Sequence, residues 1–250
     1  MADKRAERLA VLIDADNTSS KIVNGLFEEI AKIGEASARR IYGDFSGTRL
    51  KSWAEVLNSH AIIPSQNFAT TSGKNATDIA LVIEAMDLLH SGRFDGFCLV
   101  SSDSDFTRLA ARIREHGLHV YGFGTQTTPE SLRQACNRFI YTENLLPHVV
   151  VAEPTAGSAT SEVKTLFPPS KARPLIQKAI TQVDAEGGWV FLGQVGKQLT
   201  TLAPDFDSRS YGFPKLSSLV ENAGGFEMQL RDGGAVYVRI KPNGAKGNVP

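Results

Sequence analysis

The sequence predicts an α/β chain: a mainly parallel sheet with helices on both faces, followed by a small α+β domain laid out as a winged helix. Three observations predict this. Short apolar runs alternate with helix-period segments over the first ~145 residues. Past residue 147 the composition turns to Pro, Ala, Ser and Thr. From Arg173 a compact second pattern begins, with helical segments and a hairpin.

The elements follow in order. LAVLI is an apolar strand. SKIVNGLFEEIAKIG is a helix, with Ile22, Leu26, Phe27, Ile30 and Ile33 on one face and Gly34 at its stop. ARRIYGDF is strand-like. TRLKSWAEVLNSH is a helix with Leu50, Trp53 and Leu57 on one stripe, and HAIIPSQ is a short strand. NATDIALVIEAMDLLHSG is a long helix. FDGFCLVSS, SDFTRLAARIREHG and LHVYGFG read as strand, helix and strand; TPESLRQACN is helical, and RFIYTENL closes the unit. This alternation implies parallel strands buried by helices on both sides, and right-handed crossovers nearly fix the topology.

Residues 147–172 read as a linker. In 173–242, PLIQKAITQVDAEG is a helix with Pro174 in its first turn. WVFLGQVGKQLTTLAPDF holds a short strand and a second helix. SRSYGFPKLSSLVENAG is a third helical segment, and FEMQLRDGGAVYVRI is a hairpin turning at Asp232-Gly233-Gly234. Residues 243–250 read as a frayed tail.

Composition is that of an ordinary soluble globular protein, 42% hydrophobic and 22% charged. Its formal charge of zero gives no bulk signal for nucleic-acid binding. Cys98 and Cys136 form no CxxC pair and no zinc spacing, and read as buried thiols of a reducing compartment. The apolar run after the basic start is too short for a signal-peptide core, and no apolar stretch is long enough to span a membrane. The expected location is the cytoplasm. His116 and His119 straddle Gly117 with no third soft ligand, so zinc is not expected. The oligomeric state is left open.

The acids carry the functional signal. Strand one stops on Asp14 and Asp16, in LIDADN. The fourth strand runs into SSDSDF, with Asp103 and Asp105. Asp78 opens the helix after strand three. In an open parallel sheet, ligands bind beyond the carboxyl ends of the strands, where strand order reverses. Clustered carboxylates repel, and a hard divalent cation removes that penalty. Most of the acids have a capping explanation when taken alone: Asp16 or Asn17 for the first helix, Asn75 with Asp78 as a capping box, Asp103 or Ser104 for the helix near Phe106; Asp14, directly after the apolar run, is the hardest to explain as a cap. Capping does not explain why all should fall at one edge.

IDADNT fits the D-x-D-x-T signature of haloacid-dehalogenase-like phosphatases, where Asp14 would be a nucleophile and Asp16 a general acid. The later residues that family needs come in the wrong order here, with Lys74 ahead of Ser101 and Ser102. LIDADN, GKNATDIALVIEAMD and LVSSDSDFTRLAARIREHGLHVYGFG together resemble the NYN domain family, related to PIN-domain nucleases, over about residues 8–146. That resemblance implies a PIN-like Rossmannoid fold and a metal-dependent ribonuclease. It implies Mg²⁺ or Mn²⁺ held by Asp14, Asp78 and Asp103, with Asp105 as a further ligand or holding a water, and Asn17 orienting a ligand or phosphate. Ser102 stands where the family more often has Gly. Lys74, Arg40 and Arg49 are candidate RNA contacts, with Tyr42 and Phe45 as candidate stacking residues. A non-catalytic RNA-binding role is the remaining alternative.

LIQKAITQVDAEGGWVFLGQVGKQL, SYGFPKLSSLVE and AVYVRI resemble the LOTUS domain, also called OST-HTH, over about residues 173–241. LOTUS domains are linked to RNA binding, and a subset binds DEAD-box helicases. The candidate phosphate contacts there are Lys197 and Lys215, with Arg209 and Arg231.

Overall fold

The computed structural model describes residues 5–66, 76–146, 166–185, 187–231 and 233–241. Lys74, Asn75 and Asp232 lie outside them. The chain divides into two compact units, Met1–Glu162 and Val163–Pro250.

The first unit runs β1 (Glu7–Asp14), α1 (Val23–Ala31), β2 (Gly34–Gly43), α2 (Lys51–Leu57), β3 (Ile63–Gln66), α3 (Ala76–His90), β4 (Gly96–Val100), α4 (Thr107–Glu115), β5 (His119–Gly124), α5 (Glu130–Ala135) and β6 (Arg138–Tyr141). All neighbouring strands pair in parallel, in the order β3-β2-β1-β4-β5-β6. The alternation of strand side chains sorts β1 onto two faces. Ala10 and Leu12 pack with Leu81, Ala85 and Leu88 of α3 and with Leu109 and Ile113 of α4. Leu9, Val11 and Ile13 pack with Leu26 and Ile30 of α1 and Trp53 of α2. The expected α/β sheet with two covered faces is therefore the fold, and every residue from Leu9 to Asp14 is fully buried.

Strand order turns back between β1 and β4, so their carboxyl ends open the crevice where such sheets bind ligands. β1 ends at Asp14, and β4 ends one residue before Ser101.

The second unit has α6 (Arg173–Thr181), β7 (Val190–Phe191), α7 (Leu192–Leu202), α8 (Leu216–Ala223), β8 (Phe226–Arg231) and β9 (Ala235–Ile240). Its antiparallel sheet has the order β7-β9-β8, against a core of Ile176, Val195, Leu199, Leu219, Val220 and Val238. Residues 166–172 read as linker by composition but pack here. Ala172 is buried, and the Phe167 N–H donates to the Ser210 carbonyl at 2.9 Å. The Arg173 guanidinium donates twice to the Ala223 carbonyl, at 2.8 and 3.0 Å, and so caps the end of α8. Among the described residues, no helix is long and apolar enough to cross a membrane.

Candidate functional site

Asp14 is the first element of the site. Its side chain points from a fully buried strand end into a ring of donors. Oδ1 accepts the backbone N–H groups of Asp16 and Asn17, at 3.1 and 3.3 Å. Oδ2 accepts Asn17 Nδ2 at 2.8 Å and Ser101 Oγ at 2.7 Å. Four donors match the roughly four acceptor directions of a carboxylate. Ser101 is buried, so its bond to Asp14 is sheltered, whereas Asn17 is exposed and has water as a substitute partner.

The first helix does not use these residues as caps. Ser19 caps the 3-10 turn Ser20–Ile22 that leads into it, its Oγ accepting the Lys21 N–H at 3.4 Å. Asp103 differs: its Oδ1 accepts the Asp105 N–H at 2.9 Å, capping the 3-10 turn Ser104–Phe106 that leads into α4. The Asp103 N–H donates to Ser101 Oγ at 3.1 Å. One buried hydroxyl thus joins the end of β1 to the turn after β4. The sequence reading saw Ser101 only as a strand-end serine; its position one residue after β4, beside the β1 terminus, is visible only once strand order is known.

Asp78, in the first turn of α3, shares the same field. Burial raises its pKa to about 6, and the negative charges of Asp14, Asp103, Asp105 and Asp16 add to the shift. The carboxylates of β1, of the β4 turn and of α3 are therefore close enough to repel one another. Asp16 is also raised, first by burial, against the pull of the Arg49 guanidinium and with a push from Asp14 and Asp44. Arg49 forms an ion pair and hydrogen bond with Asp16 Oδ1.

Beside the acids a cavity of about 190 Å³ is lined by Asn17, Thr18, Ser102, Thr125, Thr142 and Glu143, among others. Ser102 Oγ accepts the Thr125 N–H at 2.9 Å, tying the β4 and β5 termini together. Thr125, Thr142 and Glu143 are polar residues of this mouth that sequence reasoning passed over, because they follow strands five and six without a motif.

Two candidates for base stacking sit elsewhere. Tyr42 is fully buried, its hydroxyl donating to Glu84 Oε2 at 2.9 Å, so it is a core residue. Phe45 packs against the α1 and α2 face of the core. Arg40 is paired with Glu84 of α3, its Nε 2.6 Å from Oε1 but at an angle that makes an ion pair without an aligned hydrogen bond. In the second unit, Arg209 pairs with Asp207 and Arg231 lies over the Tyr237 ring at 4.0 Å, while Lys197 and Lys215 are exposed. They flank a close approach of α7 to α8, where a Cβ on Gly196 would lie 3.3 Å from Leu216.

The donor set suits a hard cation, being carboxylate oxygen, amide and hydroxyl. Among the described residues, however, no group of three or more His, Cys, Asp or Glu side chains is disposed to grip an ion directly. Mg²⁺ needs no such cage, since it is held by one or two carboxylates and keeps waters.

The NYN domain family model matches residues 8–146, from β1 to the turn beyond β6. The chain belongs to the NYN domain family. NYN domains are PIN-like nucleases. The OST-HTH/LOTUS domain model matches residues 167–238, a class tied to binding of RNA or protein partners. A solved structure of a protein of unknown function from Vibrio parahaemolyticus is similar at 18% identity, over 56% of this chain and 96% of its own, with a TM-score of 0.46. An uncharacterized protein from Nitrosomonas europaea is similar at 30% identity, over 41% of this chain and 100% of its own, with a TM-score of 0.29. No curated protein matches the chain significantly.

Proposed function

We propose that this NYN protein is a metal-dependent ribonuclease that hydrolyses RNA phosphodiesters, and that its OST-HTH/LOTUS domain engages RNA or a protein partner such as a DEAD-box helicase. The observation that carries the reading is the convergence of Asp14, Asp78, Asp103 and Asp105 at the point where strand order reverses. A cluster whose negative charges raise one another's pKa is costly unless a cation or a proton relieves it.

Asp14, Asp78 and Asp103 would hold the ion, one or two of them directly and the rest through its waters, with Asp105 as a further ligand or water holder. Bound there, Mg²⁺ or Mn²⁺ would supply Lewis acidity toward a phosphodiester and the attacking water. The protein's own groups do the rest. Ser101 fixes Asp14 and the β4 turn relative to each other. Asn17 holds an Asp14 oxygen by an exposed amide, the donor that can yield to an ion or swing to a phosphate at least cost. Ser102 is placed at the polar mouth beside the acids, and Arg49 can exchange Asp16 for an RNA phosphate. Lys74 keeps its proposed role as a phosphate contact, and so do Lys197 and Lys215 in the second unit; Arg40, tied to Glu84, is the weakest of these candidates. The phosphatase alternative is weaker because the later residues that family needs come in the wrong order, with Lys74 ahead of Ser101 and Ser102.

The test is cleavage of labelled single-stranded RNA with Mg²⁺ or Mn²⁺, against small phosphomonoesters, by the wild type, Asp14→Asn and Asp103→Asn. RNA cleavage lost in both variants, with folded circular dichroism spectra retained, is the expected result. Wild-type cleavage by both variants at matched purity removes the nuclease reading, and phosphomonoester turnover by the wild type would favour the phosphatase.

A further inference from the structure

On the first unit's sheet, from the starts of β1 and β3 along β2 as far as Arg40, a groove of about 470 Å³ opens on the protein surface. Four arginines line it: Arg8 of β1, Arg39 and Arg40 of β2, and Arg93 just before β4. Phe94 and Ile63 supply apolar wall, and no carboxylate is among the described lining residues. Among the described residues, Arg40 alone of the four has a carboxylate partner, Glu84. Arg39 donates to the carbonyls of His60 and Ala36, at 2.7 and 3.3 Å, with the Phe27 ring 4.7 Å from its guanidinium. Arg8 and Arg93 both lie near the Phe94 ring, 5.9 and 5.8 Å from its centroid, and among the described residues neither side chain has a carboxylate partner. Asp95, next to Phe94, is engaged elsewhere, by Arg5 and by the Arg8 backbone N–H.

Guanidiniums gathered without counter-charge repel each other, and scattered surface arginines would simply stay solvated. Arg39 is turned to the α1 face, over Phe27, and Arg40 is neutralised by Glu84, so Arg8 and Arg93 are the two whose charge the concavity and its apolar walls focus. Planar donor forks also match phosphate oxygens better than any other anion-binding side chain. We propose that this groove is a phosphate-binding site for single-stranded RNA, remote from the carboxylates and gripping the same strand. The inference rests on the reading of the chain as an RNA-processing protein.

Geometry favours a strand over a single nucleotide. Arg8, Ala10, Leu12 and Asp14 alternate onto one face of β1. At about 3.3 Å per residue, the Arg8 end of the groove and the acidic site are roughly 20 Å apart along that strand. A ligand that engages both must be an oligomer. The groove therefore adds affinity for long RNA and nothing to the cleavage of a dinucleotide.

The experiment uses the full chain in EDTA, so that binding is read without turnover. Fluorescence anisotropy follows a labelled single-stranded RNA across a salt series, for the wild type, the Arg8→Gln/Arg93→Gln double variant, Arg93→Gln alone, and Arg112→Gln as a one-charge control on α4. Two lost phosphate contacts should weaken binding roughly tenfold at low salt and lower the slope of log affinity against log salt by about 1.4. Arg93→Gln alone, at an exposed position, should take about half of that slope change and keeps the test valid should the double variant misfold. Unchanged affinity and slope, or an equal loss from Arg112→Gln, overturns the proposal. Displacement of the RNA by inorganic phosphate or a mononucleotide at matched phosphate concentration would also overturn it, because the occupant would then be a small anion. Failure of the nuclease reading shows separately, as absent cleavage by the wild type with metal, and leaves the binding result standing.

Discussion

At the scale of single residues, the site turns on one hydroxyl and one strained acid. Ser101 donates to Asp14 and accepts from Asp103, so Ser101→Ala leaves a buried carboxylate short of a donor and a backbone N–H short of an acceptor. Hydrogen bonds to charged groups contribute about 1.5–3 kcal/mol, and a loss of that size in urea-denaturation stability is expected. A change below the error of the measurement would mean that water replaces the hydroxyl without cost. Asp78 should behave in the opposite way. Its folded-state pKa of about 6 lies above its ordinary 3.8, so the folded protein binds more protons than the unfolded chain between those values. Stability therefore falls as pH rises through that window. In EDTA at pH 7, Asp78→Asn should melt at a higher temperature than the wild type, with the gain fading as pH drops below 6 and gone near 3.8. A gain that persisted at pH 3.8 would show that charge repulsion is not its cause. The acids themselves are legible in the sequence because they interrupt apolar runs. Ser101 is not, since nothing local distinguishes it from Ser102, and the Asp103-x-Asp105 spacing suits a helix cap and an ion ligand equally.

At the scale of elements, the order of strands and helices follows from hydrophobic period alone, and the structure keeps that order throughout the first unit. What periodicity leaves open is which face turns inward. α3 has apolar residues all round, so Leu81, Ala85 and Leu88 are buried while Ile79 and Ile83 stay more than half exposed. Close backbone approaches are equally hidden. Gly25 sits within α1, where Ala would ordinarily stabilise by about 1 kcal/mol. Here an added Cβ would lie 2.1 Å from the Leu145 carbonyl oxygen, a backbone atom that cannot move aside cheaply. The sign reverses: Gly25→Ala should destabilise by about 1–3 kcal/mol as α1 is pushed off the sheet. Equilibrium unfolding in urea decides it, and a stabilised variant would mean that the Leu145 turn yields freely. The start of the second unit was obscured for a related reason. Phe167 and Ala172 sit in Pro- and Ser-rich sequence that reads as linker, and only their tertiary contacts, Ala172 in the core and Phe167 against Tyr211, assign them to the second unit.

At the scale of the whole chain, the zero net charge means that RNA must be met by local patches. The first unit has an arginine groove and an acidic site on one sheet; the second has exposed Lys197 and Lys215. Each unit buries its own core, the condition for folding alone. Two weak sites on one chain act together because the second binding event becomes intramolecular, which raises avidity without a new contact. Removing residues 166–250 should therefore leave a folded NYN unit that cleaves a short oligomer at close to the full-length rate. Its affinity for long RNA should fall by far more, on the order of 10²-fold or greater. The cut belongs before Leu166 rather than at Arg173, because Ala172 is part of the second core and the Phe167 ring lies against Tyr211, and both would otherwise remain as exposed apolar residues on the truncated chain. Anisotropy on long RNA and initial cleavage rates on a short one, measured on the same two proteins, separate the effects. Equal affinity for long RNA in both would assign the OST-HTH/LOTUS domain to a protein partner, since a module that contributes nothing to RNA affinity cannot be the recruiter of that RNA.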